Sequence, residues 1–108
     1  MYEIEYTPQA IEDLKYFKKH EQQQILGEIP VQLRYEPSVE TRNRKRTRPN
    51  SMAAWELPIA EFRVFYNVEE QVQIVEIKRI GEKEGYTFLF RSRRMYDDKM
   101  ELSSFSRI

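Results

Sequence analysis

Hydrophobic and polar residues alternate over the first few positions of the chain, and the period then changes. Residues 2–6 read YEIEY, with apolar and acidic side chains on opposite faces, which predicts a strand with one buried face. Thr7 then offers an N-cap, and Pro8 is a proline at the first helical position. The apolar residues that follow recur at helical spacing: Ala10, Ile11, Leu14 and Phe17. This pattern predicts a first helix that ends near Lys19.

A second helix is predicted from Ile25, Ile29 and Leu33, which share one helical face. Gly27 and Pro30 lie inside the same segment, and a proline in a helix interior costs about 3 kcal/mol. We therefore expect a kinked or broken second helix that packs antiparallel to the first.

The second half of the chain has the pattern of strands. Residues 55–59 (WELPI) alternate, and the proline among them indicates an edge strand. Residues 62–68 (FRVFYNV) also alternate. Residues 72–80 (VQIVEIKRI) are rich in β-branched side chains and apolar on both faces in the middle, which is typical of a central strand. A last short strand is predicted for residues 86–90 (YTFLF).

The order of these elements is β-α-α-β-β-β, followed by the short strand. It predicts an α+β fold in which two antiparallel helices pack on one face of a mostly antiparallel sheet. With 108 residues and no repeat, the chain is expected to form a single domain, residues 1–108. Residues 91–108 show no convincing period, and we expect them to form a flexible tail.

Composition excludes several kinds of site. The chain has no cysteine and one histidine, His20. Disulfides, thiolate metal sites and a ribonuclease site built on two histidines are therefore excluded. The first residues do not have the pattern of a signal peptide, and no apolar run approaches the roughly 20 residues of a membrane span. We expect a cytoplasmic protein with no membrane partner, no metal and no small-molecule cofactor.

Positive charge is concentrated in one segment of a chain whose net charge is zero. Residues 1–41 carry −4, residues 42–48 carry +5 and residues 49–108 carry −1. We call residues 42–48 the basic segment. Its cations are Arg42, Arg44, Lys45, Arg46 and Arg48. Such runs are often solvated loops or localisation signals, but cations that meet phosphates release counterions and so favour nucleic acid. A second basic region, residues 78–94, includes Lys78, Lys83 and Arg91.

Arg63 is predicted to lie on the sheet face opposite the helices, beside Phe65. A guanidinium in that position can grip a phosphate through two hydrogen bonds, while the ring stacks a base. The alternatives are a cross-strand ion pair with Glu56 or Glu76, and simple solvation. The pattern alone leaves these alternatives open.

Residues 55–85 read WELPIAEFRVFYNVEEQVQIVEIKRIGEKEG. This order of an aromatic-led strand, FRVFYNV, a β-branched strand and a glycine followed by basic residues resembles the core of the RelE/ParE toxin superfamily of bacterial toxin–antitoxin systems. Residues 2–17 are similar to the family's opening strand and first helix. Residues 44–50 (RKRTRPN) are similar to a basic stretch found in one subgroup. The resemblance covers the chain from residue 2 to about residue 92.

The resemblance implies a RelE-like fold and a cognate antitoxin protein as partner. We expect the antitoxin to lay an acidic, amphipathic segment over the positive face or an exposed sheet edge. For the RelE branch it also implies the ribosome and mRNA as partners. That branch is a ribosome-dependent endoribonuclease, an mRNA interferase, which inhibits translation by metal-independent attack of a 2′-hydroxyl on the adjacent phosphate. Such chemistry needs cations to stabilise the transition state and groups that take and give protons.

By the same resemblance, three residues are expected to be catalytic. Arg63 matches the arginine that holds the scissile phosphate. Lys83 falls where the family has a second arginine, so the positive charge is kept but the planar guanidinium, which can donate two parallel hydrogen bonds, is lost. Tyr86 is the nearest candidate for a tyrosine that stacks on RNA. The expected RNA-binding residues are Arg42, Arg44, Lys45, Arg46, Arg48, Lys78 and Arg91.

The sequence departs from the family on the strand WELPI, where the RNases carry lysines, one of them the presumed base. Here those positions are Glu56 and Pro58. Glu56 or Glu84 is then the candidate proton acceptor, with Arg46 and Arg48 as replacement cations. The missing lysines suit a ParE-like gyrase poison or a catalytically degenerate module that binds RNA or antitoxin. The long basic segment favours the RNase.

Overall fold

The computed structural model describes residues 1–50, 52–85 and 87–90. The elements are β1 (Glu3–Tyr6), α1 (Pro8–Lys15), α2 (Lys19–Leu33), β2 (Lys45–Arg46), β3 (Trp55–Ile59), β4 (Phe62–Glu69), β5 (Ile74–Glu84) and β6 (Thr87–Leu89). The strands form a six-stranded sheet in the order β1-β5-β4-β3-β2, with β6 paired to β5. The β1–β5 pair is parallel and the other pairs are antiparallel. The predicted α+β fold is confirmed, with β2 as a strand that the pattern did not predict.

Helix α1 begins as predicted, but its end and the course of α2 differ from the prediction. The hydroxyl oxygen of Thr7 accepts a hydrogen bond from the amide of Ala10 at 3.1 Å and so caps α1. Helix α1 ends at Lys15, earlier than expected. The predicted break in α2 is wrong, because that helix is continuous from Lys19 to Leu33 with Pro30 inside it. Pro30 lies in the last turn, where losing one amide donor removes a single helical hydrogen bond.

The main core lies between the helices and the sheet. It is apolar, and its largest members from the two layers are fully buried: Ile25, Ile29, Leu33, Leu57, Phe62, Val64, Tyr66, Ile77 and Ile80. Phe17 follows α1 but still packs into this core, against Phe62 at 5.1 Å between ring centroids. The alternation that the strand patterns predicted therefore directs one face of β3, β4 and β5 toward the helices.

The opposite face of the sheet carries a second, smaller core. Its members are Met52, Ala53, Phe65, Phe88 and Phe90. A Cβ atom on Gly81 would lie 2.9 Å from the ring of Phe90, so the ring occupies the space that any other residue would fill. Because both predicted helices lie on the other face, we expected the face that carries Arg63 to have no covering element. That expectation is wrong for part of the face, because residues that precede β3 and residues that follow β5 pack over it.

A buried ion pair joins α1 to β5. Arg79 donates to both carboxylate oxygens of Asp13, at 2.8 and 2.9 Å, and Asp13 also accepts the amide of Ile80 at 2.9 Å. The guanidinium carbon of Arg79 lies 4.5 Å from the ring centroid of Phe90. The pair therefore ties the helix layer to the second core through the part of β5 that lies between its β1 and β6 partners.

No helix in the part of the chain that the structure describes is long and apolar enough to cross a membrane. The expected flexible tail, residues 91–108, lies outside the described residues.

Candidate nucleic-acid interface

Arg63 forms an ion pair with Glu56 on the face opposite the helices. Its Nε atom lies 3.4 Å from the carboxylate of Glu56, and its side chain is 15% exposed. Nη1 donates to the carbonyl oxygens of Ala60 and Phe62, both at 2.8 Å. Of the alternatives for Arg63, the structure therefore has the cross-strand pair, with Glu56 as the partner. Glu76 pairs instead with Lys78, at 3.4 Å.

Glu56 is a buried carboxylate with an unsatisfied oxygen. The residue is 5% exposed, and its Oε1 atom accepts no hydrogen bond from the residues that the structure describes. Burial raises the pKa of Glu56 above its usual value, while the charges of Arg63, Lys45 and Lys83 act in the opposite direction. The effect of burial on the pKa is larger than that of the three cations, so Glu56 holds its proton more tightly than an exposed glutamate does.

The two lysines lie near this carboxylate on different strands, although neither ammonium nitrogen is within 4.0 Å of it. Lys45 lies directly opposite Glu56 in the β2–β3 pair. Gly81 lies opposite Arg63 in the β4–β5 pair, so Lys83, two residues further, shares the face of Arg63. Both lysines are exposed. We name Glu56, Arg63, Lys45 and Lys83 the Glu56 cluster.

Glu84, the other candidate proton acceptor, is placed differently. Alternation along β5 directs Lys83 and Glu84 to opposite faces of the sheet, so Glu84 does not face Arg63. Glu84 is also exposed, whereas Glu56 is buried. Geometry therefore favours Glu56 over Glu84 as the proton acceptor.

The other cations of the basic segment divide between structural and exposed positions. Arg44 is half-buried and donates to the carbonyl oxygens of Val39 and Gln32, both at 3.0 Å, which ties the segment to the last turn of α2. Arg42 and Arg48 are exposed. Arg46 lies over the ring of Trp55, 5.0 Å from its centroid.

Lys78 is a predicted site residue that does not belong to the Glu56 cluster. Lys78 pairs with Glu76, and its carbonyl oxygen accepts a hydrogen bond from Thr7 at the start of α1. Tyr86 and Arg91 lie outside the described residues. The prediction that Tyr86 is catalytic therefore stays a prediction.

Residues 47–50 and 52–54, between β2 and β3, line a cavity of ≈ 330 Å³. Arg46 and Arg48 stand on one side of this loop cavity, and Met52 and Asn67 contribute to the rest of its lining. The sequence identified the cations but did not predict the cavity, because the loop has no periodic pattern from which its conformation could be predicted.

Lys45 was predicted as one of the RNA-binding cations, but its position beside Glu56 was not predicted. The signal that could have found it is pairing between the basic segment and the strand WELPI, since that register sets Lys45 opposite Glu56. Within the described ranges, no group of three or more His, Cys, Asp or Glu side chains is placed to hold a metal ion.

Solved structures of RelE toxins have the same fold. The RelBE2 toxin–antitoxin complex from Mycobacterium tuberculosis matches with a TM-score of 0.66 and 20% identity, covering 76% of this chain and 91% of that one. The isolated RelE toxin from E. coli matches with a TM-score of 0.62 and 16% identity, covering 94% and 97%. The archaeal RelE–RelB complex from Pyrococcus horikoshii matches with a TM-score of 0.61 and 17% identity, covering 78% and 96%.

At the level of sequence, no protein-family model matches the chain, and no curated protein matches it significantly. The likeness is therefore one of structure. It extends over nearly the whole length of each toxin chain, and the chain has the RelE toxin fold.

Proposed function

We propose that this protein is the toxin of a toxin–antitoxin pair and that it acts as an endoribonuclease which cuts mRNA on the ribosome and so inhibits translation. Its fold is that of RelE toxins, two of which were solved in complex with antitoxins. The observation that supports the activity is the Glu56 cluster, a buried carboxylate near three cations, one of whose oxygens has no hydrogen-bond partner among the described residues. A cognate antitoxin, the ribosome and mRNA are the proposed partners.

Glu56 is the proposed general base. Its Oε1 atom accepts the proton of the RNA 2′-hydroxyl, and the 2′-oxygen attacks the adjacent phosphorus. The bond from phosphorus to the 5′-oxygen breaks, which leaves a 2′,3′-cyclic phosphate and a 5′-hydroxyl. A carboxylate whose pKa is raised toward neutrality is a stronger base in this step than an ordinary glutamate, provided that it is ionised.

Lys45 and Lys83 supply the charge that the transition state needs. Negative charge grows on the non-bridging phosphate oxygens, and preorganised cations beside them stabilise it. The ammonium group of either lysine also protonates the departing 5′-oxygen, which balances the proton taken by Glu56. Both side chains are exposed, and they lie on strands on either side of β3 and β4. Because Glu56 is only 5% exposed, contact between its Oε1 atom and RNA requires side chains of the cluster to move aside.

Arg63 mainly holds the side chain of Glu56, the proposed general base, in position and adds positive charge to the site. Its Nε and Nη1 atoms are engaged with Glu56, Ala60 and Phe62. Nη2 is the remaining guanidinium nitrogen with no hydrogen bond to the described residues, so it is the atom that faces a phosphate. The bidentate grip on phosphate that Arg63 was predicted to make therefore requires the ion pair with Glu56 to open.

The test is Glu56→Gln, which keeps the size of the side chain and removes the base. Loss of a general base typically costs about 10²–10⁴-fold in rate. Induced expression of the variant should therefore no longer arrest growth, and cleavage of ribosome-bound mRNA should fall at least about 100-fold. Both are measured by growth curves and by mapping RNA ends in a purified translation system.

The matched control is Glu61→Gln, which changes an exposed carboxylate in the same hairpin. It should behave like the wild type. Unchanged cleavage by Glu56→Gln would refute the assignment of the base. Growth arrest by the wild type with gyrase-linked DNA breaks and intact mRNA would refute the RNase function and support a gyrase poison.

A further inference from the structure

The loop cavity is a concave site that none of the four residues of the Glu56 cluster lines. Its ≈ 330 Å³ lies at the small end of the range of about 300–1,000 Å³ typical of ligand pockets. Asn67 lies in its wall, four residues along β4 from Arg63. At about 3.3 Å per strand residue, this separation is roughly 13 Å, which a few nucleotides of a single strand cover.

Arg46 offers a flat cationic surface at the edge of this cavity. Its guanidinium carbon lies 5.0 Å from the ring centroid of Trp55, and Trp55 itself is buried, at 5% exposure. One face of the guanidinium is thus held against an aromatic ring, while the arginine is exposed to solvent. Unpaired RNA bases stack on such guanidinium planes.

The two arginines of the cavity keep their charge available. Within the described ranges, neither Arg46 nor Arg48 has a carboxylate oxygen within 4.0 Å, whereas Arg63 and Arg79 are paired. Guanidinium groups without an internal anion are suited to phosphate oxygens. Met52 adds a thioether and Ala53 a methyl group to the lining, which gives an apolar side to an otherwise basic site.

Asn50 connects the described residues of the cavity wall to one another. Its side-chain oxygen accepts the amides of Met52 at 2.7 Å and Ala53 at 3.0 Å, and its nitrogen donates to the hydroxyl of Thr47 at 3.1 Å. The side-chain oxygen of Asn67 accepts the amide of Ala54 at 2.7 Å, which fastens the loop to β4. A site that is already ordered loses less entropy when it binds a ligand.

We propose that the loop cavity binds one nucleotide of single-stranded RNA, with its base stacked on Arg46 and its phosphate between Arg46 and Arg48. This inference rests on the proposed function, because the bound nucleotide belongs to the same RNA strand that is cut at the Glu56 cluster. Lys45 and Arg46 are consecutive residues of the edge strand β2 and point to opposite faces of the sheet, so the RNA strand passes over this edge between the two sites. The cavity then holds the strand, and the cluster cuts it.

The experiment uses the full chain and two probes of eight nucleotides. One is 2′-O-methyl octauridylate, which lacks the attacking hydroxyl and cannot be cut by this chemistry. The other is an abasic oligomer with the same number of phosphates. Trp55 is the only tryptophan of the chain, so its emission reports on the guanidinium that covers it. Octauridylate should change the emission of Trp55 and bind at least about tenfold more tightly than the abasic oligomer, since stacking of one base contributes about 1–3 kcal/mol.

Three variants locate the contact. Arg46→Ala should weaken octauridylate binding at least about tenfold. Arg46→Lys keeps the charge and loses the plane, so it should lose the preference for octauridylate while it retains affinity for the abasic oligomer. Arg42→Ala removes one charge from the same basic segment outside the cavity. It should lower the affinity for both probes equally and reduce the slope against salt by about 0.7.

Equal effects of Arg46→Ala and Arg42→Ala on octauridylate would overturn the inference, as would equal affinity of the wild type for the two probes. Glu56→Gln separates this inference from the proposed function. If Glu56→Gln still cuts mRNA but the Arg46 variants behave as expected, the nucleotide site in the cavity is supported and the assignment of Glu56 as the base is refuted. If Glu56→Gln abolishes cutting while the Arg46 and Arg42 variants are indistinguishable, the assignment of Glu56 as the base is supported and the nucleotide site is refuted.

Discussion

Asp13 and Glu56 are both buried carboxylates that face an arginine, and they differ in how completely they are satisfied. Asp13 is fully buried and accepts hydrogen bonds through both oxygens, from Arg79 and from the amide of Ile80, at 2.8–2.9 Å. Glu56 lies 3.4 Å from Arg63 through one oxygen, and its other oxygen has no partner among the described residues.

The difference separates a structural ion pair from a candidate site. A buried carboxylate is stabilised by short hydrogen bonds to its charged form, and Asp13 has them. Glu56 has a longer contact than the usual 2.7–3.2 Å of an N–H···O bond, and its pKa is raised. An imperfectly satisfied carboxylate costs stability, so its presence in the sheet is better explained by what it can bind or accept.

The largest expected effect is from Arg79→Leu. Removing one partner of a buried pair leaves the other charge uncompensated and typically costs about 3–5 kcal/mol. We expect the free energy of unfolding to fall by that amount, measured by urea denaturation. The double variant Asp13→Leu/Arg79→Leu should recover part of the loss, because it leaves no buried charge behind. A loss below about 1 kcal/mol for Arg79→Leu, the range of an exposed pair, would contradict the structural role of this pair.

Arg63→Leu is the matched change at the other pair, and we expect a smaller loss, about 1–3 kcal/mol. Glu56 can take up a proton when its nearest cation is removed, since burial already raises its pKa. Urea denaturation under the same conditions as for Arg79→Leu provides the comparison. Equal losses for the two variants would show that Glu56 and Arg63 form a second structural pair, and the distinction between the two carboxylates would be lost.

The smallest effect concerns pH. Because the pKa of Glu56 is raised in the folded state, the folded protein binds this proton more tightly than the unfolded chain does. Stability from this group is therefore gained as pH falls from neutrality toward the usual glutamate value of 4.5. The difference in unfolding free energy between the wild type and Glu56→Gln should shift in favour of the wild type over that window, as measured by urea denaturation at a series of pH values.

Cleavage should have the opposite pH dependence, because the base must be ionised to accept a proton. RNA cleavage by the wild type should decline as pH falls, with a midpoint above that of an ordinary glutamate. A midpoint at or below 4.5 would contradict the assignment of Glu56 as the base. The residual activity of Glu56→Gln should not show this decline.

Local pattern was sufficient to predict most of the fold. The strand pattern of FRVFYNV separates Val64 from Arg63, and the structure directs the first toward the helices and the second away from them. Thr7 and Pro8 start α1 as expected. The break expected in α2 did not occur, because Pro30 lies close enough to the end of the helix to cost little.

What the sequence could not provide was contact between distant segments. Asp13 and Arg79 are separated by 66 positions, and no local period relates them. Phe90 covers Gly81 only because the chain turns back after β5. For the candidate site, the sequence identified Glu56 both as a candidate ion-pair partner of Arg63 and as a candidate proton acceptor. Its burial depends on the second core, and that core could not be read from the strands alone.

The hydrogen bond from the amide of Ile80 to Asp13 has a consequence for assembly. A side-chain carboxylate takes the place that a carbonyl of a neighbouring strand would occupy, between the stretch of β5 that pairs with β1 and the stretch that pairs with β6. An incoming strand from another molecule finds that position closed. Extension of the described sheet by a second chain must therefore begin at one of its outer margins, beside β1, β2 or β6.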